Sequence, residues 1–92
     1  MSALFELHYA DGWDEFYSKM DSTEQQRVWK KIQQLKALEK VRHLKKGLLY
    51  FVVETGQYRI AFKEDGKKRT IYFAGNHKQY EKWYKSEGQK LQ

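Results

Sequence analysis

Between Gly47 and Asn76 the chain abandons helical spacing for short alternating or continuous apolar runs, each closed by a glycine-containing turn. Leu48 to Val53 is apolar, β-branched and aromatic, as a strand covered on both sides or central in a sheet would be. Glu54-Thr55-Gly56-Gln57 then predicts a hairpin turn in which Gly56 is free to take a positive φ. In the next run Tyr58, Ile60 and Phe62 alternate with Arg59, Ala61 and Lys63, so Arg59 falls on the face opposite the larger apolar side chains. Glu64-Asp65-Gly66-Lys67 carries the strongest turn signal in the chain, Asp-Gly, and leads into a last strand, Thr70 to Ala74. Three strands joined by such short turns leave little choice but an antiparallel meander.

The first half reads differently. Ala3 to His8 suggests a short strand. Trp13, Phe16, Tyr17 and Met20 recur at spacings of three and four, predicting a helix over residues 10–20 with its apolar stripe turned inward. Ser22 with Gln25 three residues later resembles a capping box and predicts a second helix over 22–41, buried through Val28, Ile32, Leu35 and Leu38. So short a link makes the two an antiparallel helical hairpin. Asn76 can cap a final helix containing Tyr80, Trp83 and Tyr84. The expected order is β-α-α-β-β-β-α: an α+β domain, a helical hairpin packed on one face of a small, mainly antiparallel sheet whose second face stays partly open.

The 92 residues fit one domain, residues 1–92, and contain no cysteine, so disulfides and thiolate metal sites are excluded. No apolar run approaches the ~18 residues of a membrane span, and the N-terminus lacks an export signal, so a cytoplasmic protein is expected. Charge is unevenly placed. Residues 1–26 carry six acids against Lys19, whereas residues 27–46 carry eight bases against Glu39. A basic stripe of this kind favours a polyanion or an acidic protein surface as partner, although a solvated helix face is the plainer alternative.

Arg59, on a strand, and the cluster His77, Lys78, Tyr80 and Tyr84 after the last strand suit a phosphodiester. A guanidinium donates in a fork and stays ionised, and imidazole changes charge near neutral pH. No His/Asp/Glu spacing suggests a metal, and no serine or threonine sits in a nucleophile motif. The plain alternatives are an ion pair of Arg59 with Glu64 or Glu81, a surface role for His77, and core anchoring by Trp83 and Tyr84.

In order and spacing these residues resemble the RelE/ParE superfamily of type II toxin–antitoxin toxins. The likeness rests on the helical hairpin, Leu44-Lys45-Lys46-Gly47-Leu48, Tyr58-Arg59-Ile60, the strand Ile71–Ala74, and the ending His77-Lys78 with Tyr84. It runs from about Phe5 to Tyr84. The resemblance implies a RelE-like fold, a cognate acidic antitoxin, and, for the RelE branch, cleavage of mRNA on the ribosome by attack of a 2′-hydroxyl. Arg59 then holds the phosphate, His77 carries a proton, and Lys78 or Tyr84 supplies the second transfer. Lys45 and Lys46 become RNA- or ribosome-binding residues, with Tyr72 and Tyr80 available to stack a base. No cofactor or small-molecule ligand is implied. RelE-like nucleases carry charges on the strand entering the first hairpin, but here Leu49-Tyr50-Phe51-Val52-Val53 has none. That departure favours the alternative, a non-catalytic inhibitor or binding module, either a gyrase poison of ParE type or an inactivated toxin.

Overall fold

The computed structural model describes residues 4–37, 42–43 and 50–90. The protein is a small α+β domain with a mixed sheet. Its elements are β1 (Glu6–Tyr9), a 3-10 turn (Tyr17–Lys19), α1 (Ser22–Gln34), β2 (Arg42–His43), β3 (Phe51–Thr55), β4 (Tyr58–Asp65), β5 (Lys68–Asn76) and α2 (His77–Lys90). The strands lie in the order β1-β5-β4-β3-β2. β3, β4 and β5 form the expected antiparallel meander, and β1 adds to β5 in parallel. Leu38, Leu48 and Leu49 lie outside the described residues.

Both hairpins turn one residue later than their sequences suggest. Thr55 pairs with Tyr58 and Asp65 with Lys68, so the two loop residues are Gly56-Gln57 and Gly66-Lys67. Each glycine is the first loop residue with φ +61°, which the primed turns favoured in hairpins require. The shift changes every cross-strand neighbour, with consequences below.

The helical hairpin does not form among the described residues. Residues 11–16 are turns, and the segment is held by bonds such as Trp13 N–H to Ala10 O (3.1 Å) and Met20 N–H to Tyr17 O (3.1 Å). Its apolar residues serve two layers. Trp13, Tyr17 and Met20 pack under α1, whereas Phe16 reaches the other side of the sheet and meets Phe73 at 5.6 Å between ring centroids. A straight helix turns one stripe toward one surface and cannot do both.

The cap of α1 lies one residue before the expected Ser22. Asp21 accepts from the Glu24 N–H (2.8 Å) and Glu24 accepts from the Asp21 N–H (3.1 Å). The Tyr58 hydroxyl also donates to Glu24, which ties the cap to β4. That bond, followed by burial, pushes the Tyr58 phenol above its ordinary value. Beyond Gln34 the chain tightens into turns in which Leu35, Lys36 and Ala37 N–H each bond three residues back.

The core has two layers. Val28 and Ile32 of α1, with Leu35 just beyond its end, pack on Val53, Tyr58, Ile60, Phe62, Ile71 and Ala74. On the opposite face Tyr50, Val52, Ala61 and Phe73 pack beneath α2 through Tyr80, with Phe16, Tyr72, Trp83 and Tyr84 at the margin. The second face is therefore covered rather than open. A register shift at Ala61/Phe62 lets neighbouring Tyr72 and Phe73 both serve this aromatic layer.

At the β5–α2 junction, a Cβ on Gly75 would lie 2.7 Å from Phe73 Cζ and 2.8 Å from Gln79 Oε1. The Phe73 ring is held by Phe16, Tyr80 and Trp83, and Gln79 is engaged in the α2 cap. Gly75→Ala is therefore expected to cost about 1–3 kcal/mol by overpacking. Urea unfolding checks this, and an unchanged midpoint would contradict it.

Candidate functional site

Arg59 leaves β4 on the α2 side of the sheet, as strand alternation predicts. It is half-buried, with 27% of its side chain exposed, and its Nε lies 3.4 Å from Glu54 Oε2. The guanidinium carbon sits 5.0 Å from the Tyr80 ring centroid. A planar guanidinium seated on a ring is oriented by the contact, so part of the entropy of holding it is already lost. The ion-pair partners anticipated for Arg59 are engaged elsewhere: Glu64 meets Arg69 and Glu81 meets His77. Glu54 takes their place because the one-residue turn shift sets it directly across from Arg59.

α2 supplies the other half of the site. Asn76 and Gln79 bond reciprocally, side chain to backbone N–H, at 2.9 Å each. The capping role read for Asn76 therefore holds, and it fixes where the helix starts. His77, Tyr80, Glu81 and Tyr84 follow at spacings of three and four and share one side of the helix. Tyr80 is buried against the sheet, and Tyr84 stacks on it with centroids 6.0 Å apart. His77 Nε2 lies 3.0 Å from Glu81 Oε1, both exposed. Burial pushes the Tyr80 phenol above its ordinary value, and the neighbouring Arg59 charge opposes that shift. Tyr80 is accordingly a protonated platform at neutral pH.

Arg59, Tyr80 and Tyr84 thus form one column, with the His77–Glu81 pair on the same side of α2. Lys78 is not part of it. Two positions before Tyr80, it projects about 160° around the helix from the ring that meets Arg59, and it is exposed. Tyr72 lies apart from Arg59, with Tyr50 at 5.3 Å and Lys63 Nζ 5.1 Å from its ring centroid. Lys45 and Lys46 lie outside the described residues.

Sequence reasoning passed over a second cation on this face. Lys63 stands four residues along β4 from Arg59, about 13 Å at strand spacing. Its Nζ lies 4.9 Å from the Tyr50 ring centroid as well as over Tyr72. Trp83 closes this group at 4.9 Å from Tyr50. Alternation alone places Lys63 with Arg59, so the signal was present in Tyr58–Lys63. The sheet face beneath α2 therefore presents two cations, Arg59 over Tyr80 and Lys63 over Tyr50 and Tyr72, although Tyr50 and Val52 themselves contribute none.

Beside Tyr72 and Trp83 a cleft of about 690 Å³ opens between α2 and the segment after β1. Phe16 also contributes to its lining, and Asp11, Glu15, Lys19 and Lys82 give it mixed charge. No helix among the described residues is long and apolar enough to cross a membrane. No protein-family model matches the chain, and no curated protein matches it.

Proposed function

We propose that the protein is the toxin of a type II toxin–antitoxin pair with RelE-like topology, a ribosome-dependent endoribonuclease that cleaves mRNA and halts translation. The observation that carries this reading is the Arg59 guanidinium held over Tyr80, on the side of α2 that also presents Tyr84 and the His77–Glu81 pair. The partners are a cognate acidic antitoxin, mRNA and the ribosome, and the setting is the cytoplasm.

In the proposed reaction the 2′-oxygen of one nucleotide attacks the adjoining phosphorus and the bond to the 5′-oxygen breaks. The products are a 2′,3′-cyclic phosphate and a 5′-hydroxyl. The proton lost by the 2′-hydroxyl passes to a base, and the departing 5′-oxygen gains one. Arg59 exchanges its contact with Glu54 for the non-bridging oxygens and stabilises the charge that grows on them. His77, oriented by Glu81, is the proton carrier. Tyr84, stacked on Tyr80, supplies the second transfer in this reading in preference to Lys78, which points away from the Arg59 column. Lys63 supplies a further cation where β3 has none, and the partly exposed Tyr72 offers a ring for an unpaired base.

The uncharged Tyr50 and Val52 positions favour a second reading, a gyrase inhibitor of ParE type on the same scaffold. Two assays of the purified protein separate the readings. The first reading predicts arrest of cell-free translation and unaltered DNA supercoiling by gyrase. Arrested supercoiling with normal translation would transfer the assignment to the second.

A further inference from the structure

Away from the Arg59 column, on the other layer of the molecule, α1 and the end of the β3–β4 hairpin enclose a cleft of about 420 Å³. Arg27, Lys30, Lys31, Gln34 and Thr55 line it. The four helical residues recur at spacings of three and four, so they form one row of about 10 Å along the helix. No acid occurs from Gln25 to Ala37. The nearest carboxylates along the helix, Asp21 and Glu24, are committed to the α1 cap, and Glu24 also accepts from Tyr58. Arg27, although exposed, is laid against the hairpin. Its Nη1 and Cδ lie 3.3 and 3.9 Å from where a Cβ on Gly56 would stand, so the side chain runs along the hairpin backbone.

We infer that this cleft is a second nucleic-acid contact, one that grips the phosphate backbone of double-helical RNA. The chemistry of its lining selects this occupant. Every lining residue ends in a cation, an amide or a hydroxyl, and none is an aliphatic or aromatic residue. Protein partners draw most of their affinity from apolar and aromatic anchors, which meet only the stems of charged and polar side chains here. A duplex backbone asks only for cations and donors and carries no base information to be read. An arginine held against a rigid turn meets phosphate with both arms of its fork.

The placement deepens the nuclease reading and in that respect rests on it. Thr55 faces α1, while the preceding residue, Glu54, faces the α2 side, where it meets Arg59. The cleft and the candidate reaction site therefore lie on opposite sides of one hairpin end. A stem gripped by α1 holds an adjoining single-stranded segment beside Arg59.

The test is binding of a fluorescein-labelled RNA hairpin, its stem roughly 16 base pairs long, to the full chain across a salt series. Arg27→Gln, Lys30→Gln and Lys31→Gln combined are expected to weaken stem binding at least about tenfold. They should also reduce the slope of log affinity against log salt by about 2–3, near one for each lost phosphate contact. Arg27→Lys, which keeps the charge and loses the fork, should weaken binding less and leave the slope unchanged. Lys68→Gln, at an exposed cation beside the opposite end of β4 from this cleft, should leave stem affinity within about twofold. Stem binding is read without cleavage, so the result stands even if the nuclease reading fails. Unchanged stem affinity and slope in the folded triple variant would overturn the inference. So would loss of binding to a poly-glutamate peptide with the RNA stem unaffected, which would assign the cleft to an acidic protein.

Discussion

Arg59→Ala should lower the rate of mRNA cleavage on programmed ribosomes by about 10²–10³-fold, the usual effect of deleting one donor that stabilises transition-state charge. The folded protein should survive the change. The side chain is half-buried at the edge of the α2 layer, its removal leaves the α1 core untouched, and Glu54 is exposed enough to be hydrated. Without the guanidinium, burial, Tyr84 and Glu54 all push the Tyr80 phenol up, so no new base is created. Primer extension on ribosome-bound message, run beside a thermal melt, separates chemistry from folding. Full cleavage by a well-folded Arg59→Ala protein would remove Arg59 from the site.

The largest expected effect on stability belongs to Arg69. Its side chain is fully buried, donates from Nε to Glu64 (2.9 Å) and from Nη1 to the Leu35 carbonyl (2.8 Å), and lies 3.6 Å from the Phe5 ring centroid. One guanidinium thus joins the end of α1, the β4–β5 hairpin and the segment entering β1. Arg69→Ala strips Glu64 and the Leu35 carbonyl of this donor and opens a cavity beneath Phe5 and Phe62. Losing the donor to the buried Leu35 carbonyl and opening the cavity together cost about 3–5 kcal/mol, while Glu64, about a third exposed, can be hydrated. A domain of this size has only about 5–15 kcal/mol in total, and each kcal/mol shifts the melting midpoint by roughly 4–8 °C. A midpoint in Arg69→Ala within a few degrees of wild type would contradict this account of the core.

The strands were legible because their signals are local. Alternation placed Arg59 away from Ile60, and Gly56 and Gly66 marked both hairpins. The partners of the charged residues were not legible, because they depend on register to a single residue. A turn at Glu54–Gln57 would set Arg59 opposite Val52, whereas the actual turn sets it opposite Glu54. The same slip at Gly66 hid the Arg69–Glu64 pair, and nothing in the sequence around Arg69 announces a buried guanidinium. The helix expected over residues 10–20 failed for a different reason. The spacing of Trp13, Phe16, Tyr17 and Met20 suits a helix, but it equally suits a chain that wraps a sheet edge and feeds rings to both layers. Of the candidate site, Arg59, His77, Tyr80 and Tyr84 share one side of α2 and the face beneath it. The outward aim of Lys78 and the pairing of Lys63 with Tyr50 and Tyr72 required the helix and sheet to be placed in three dimensions.

The most direct test of the central claim compares one mRNA, free and bound in programmed ribosomes, after incubation with the wild-type protein, and determines the chemistry of any new ends. Cuts are expected in the ribosome-bound message only, each leaving a 2′,3′-cyclic phosphate and a 5′-hydroxyl. Intact message on ribosomes, or cuts that leave a 3′-hydroxyl and a 5′-phosphate, would contradict the claim.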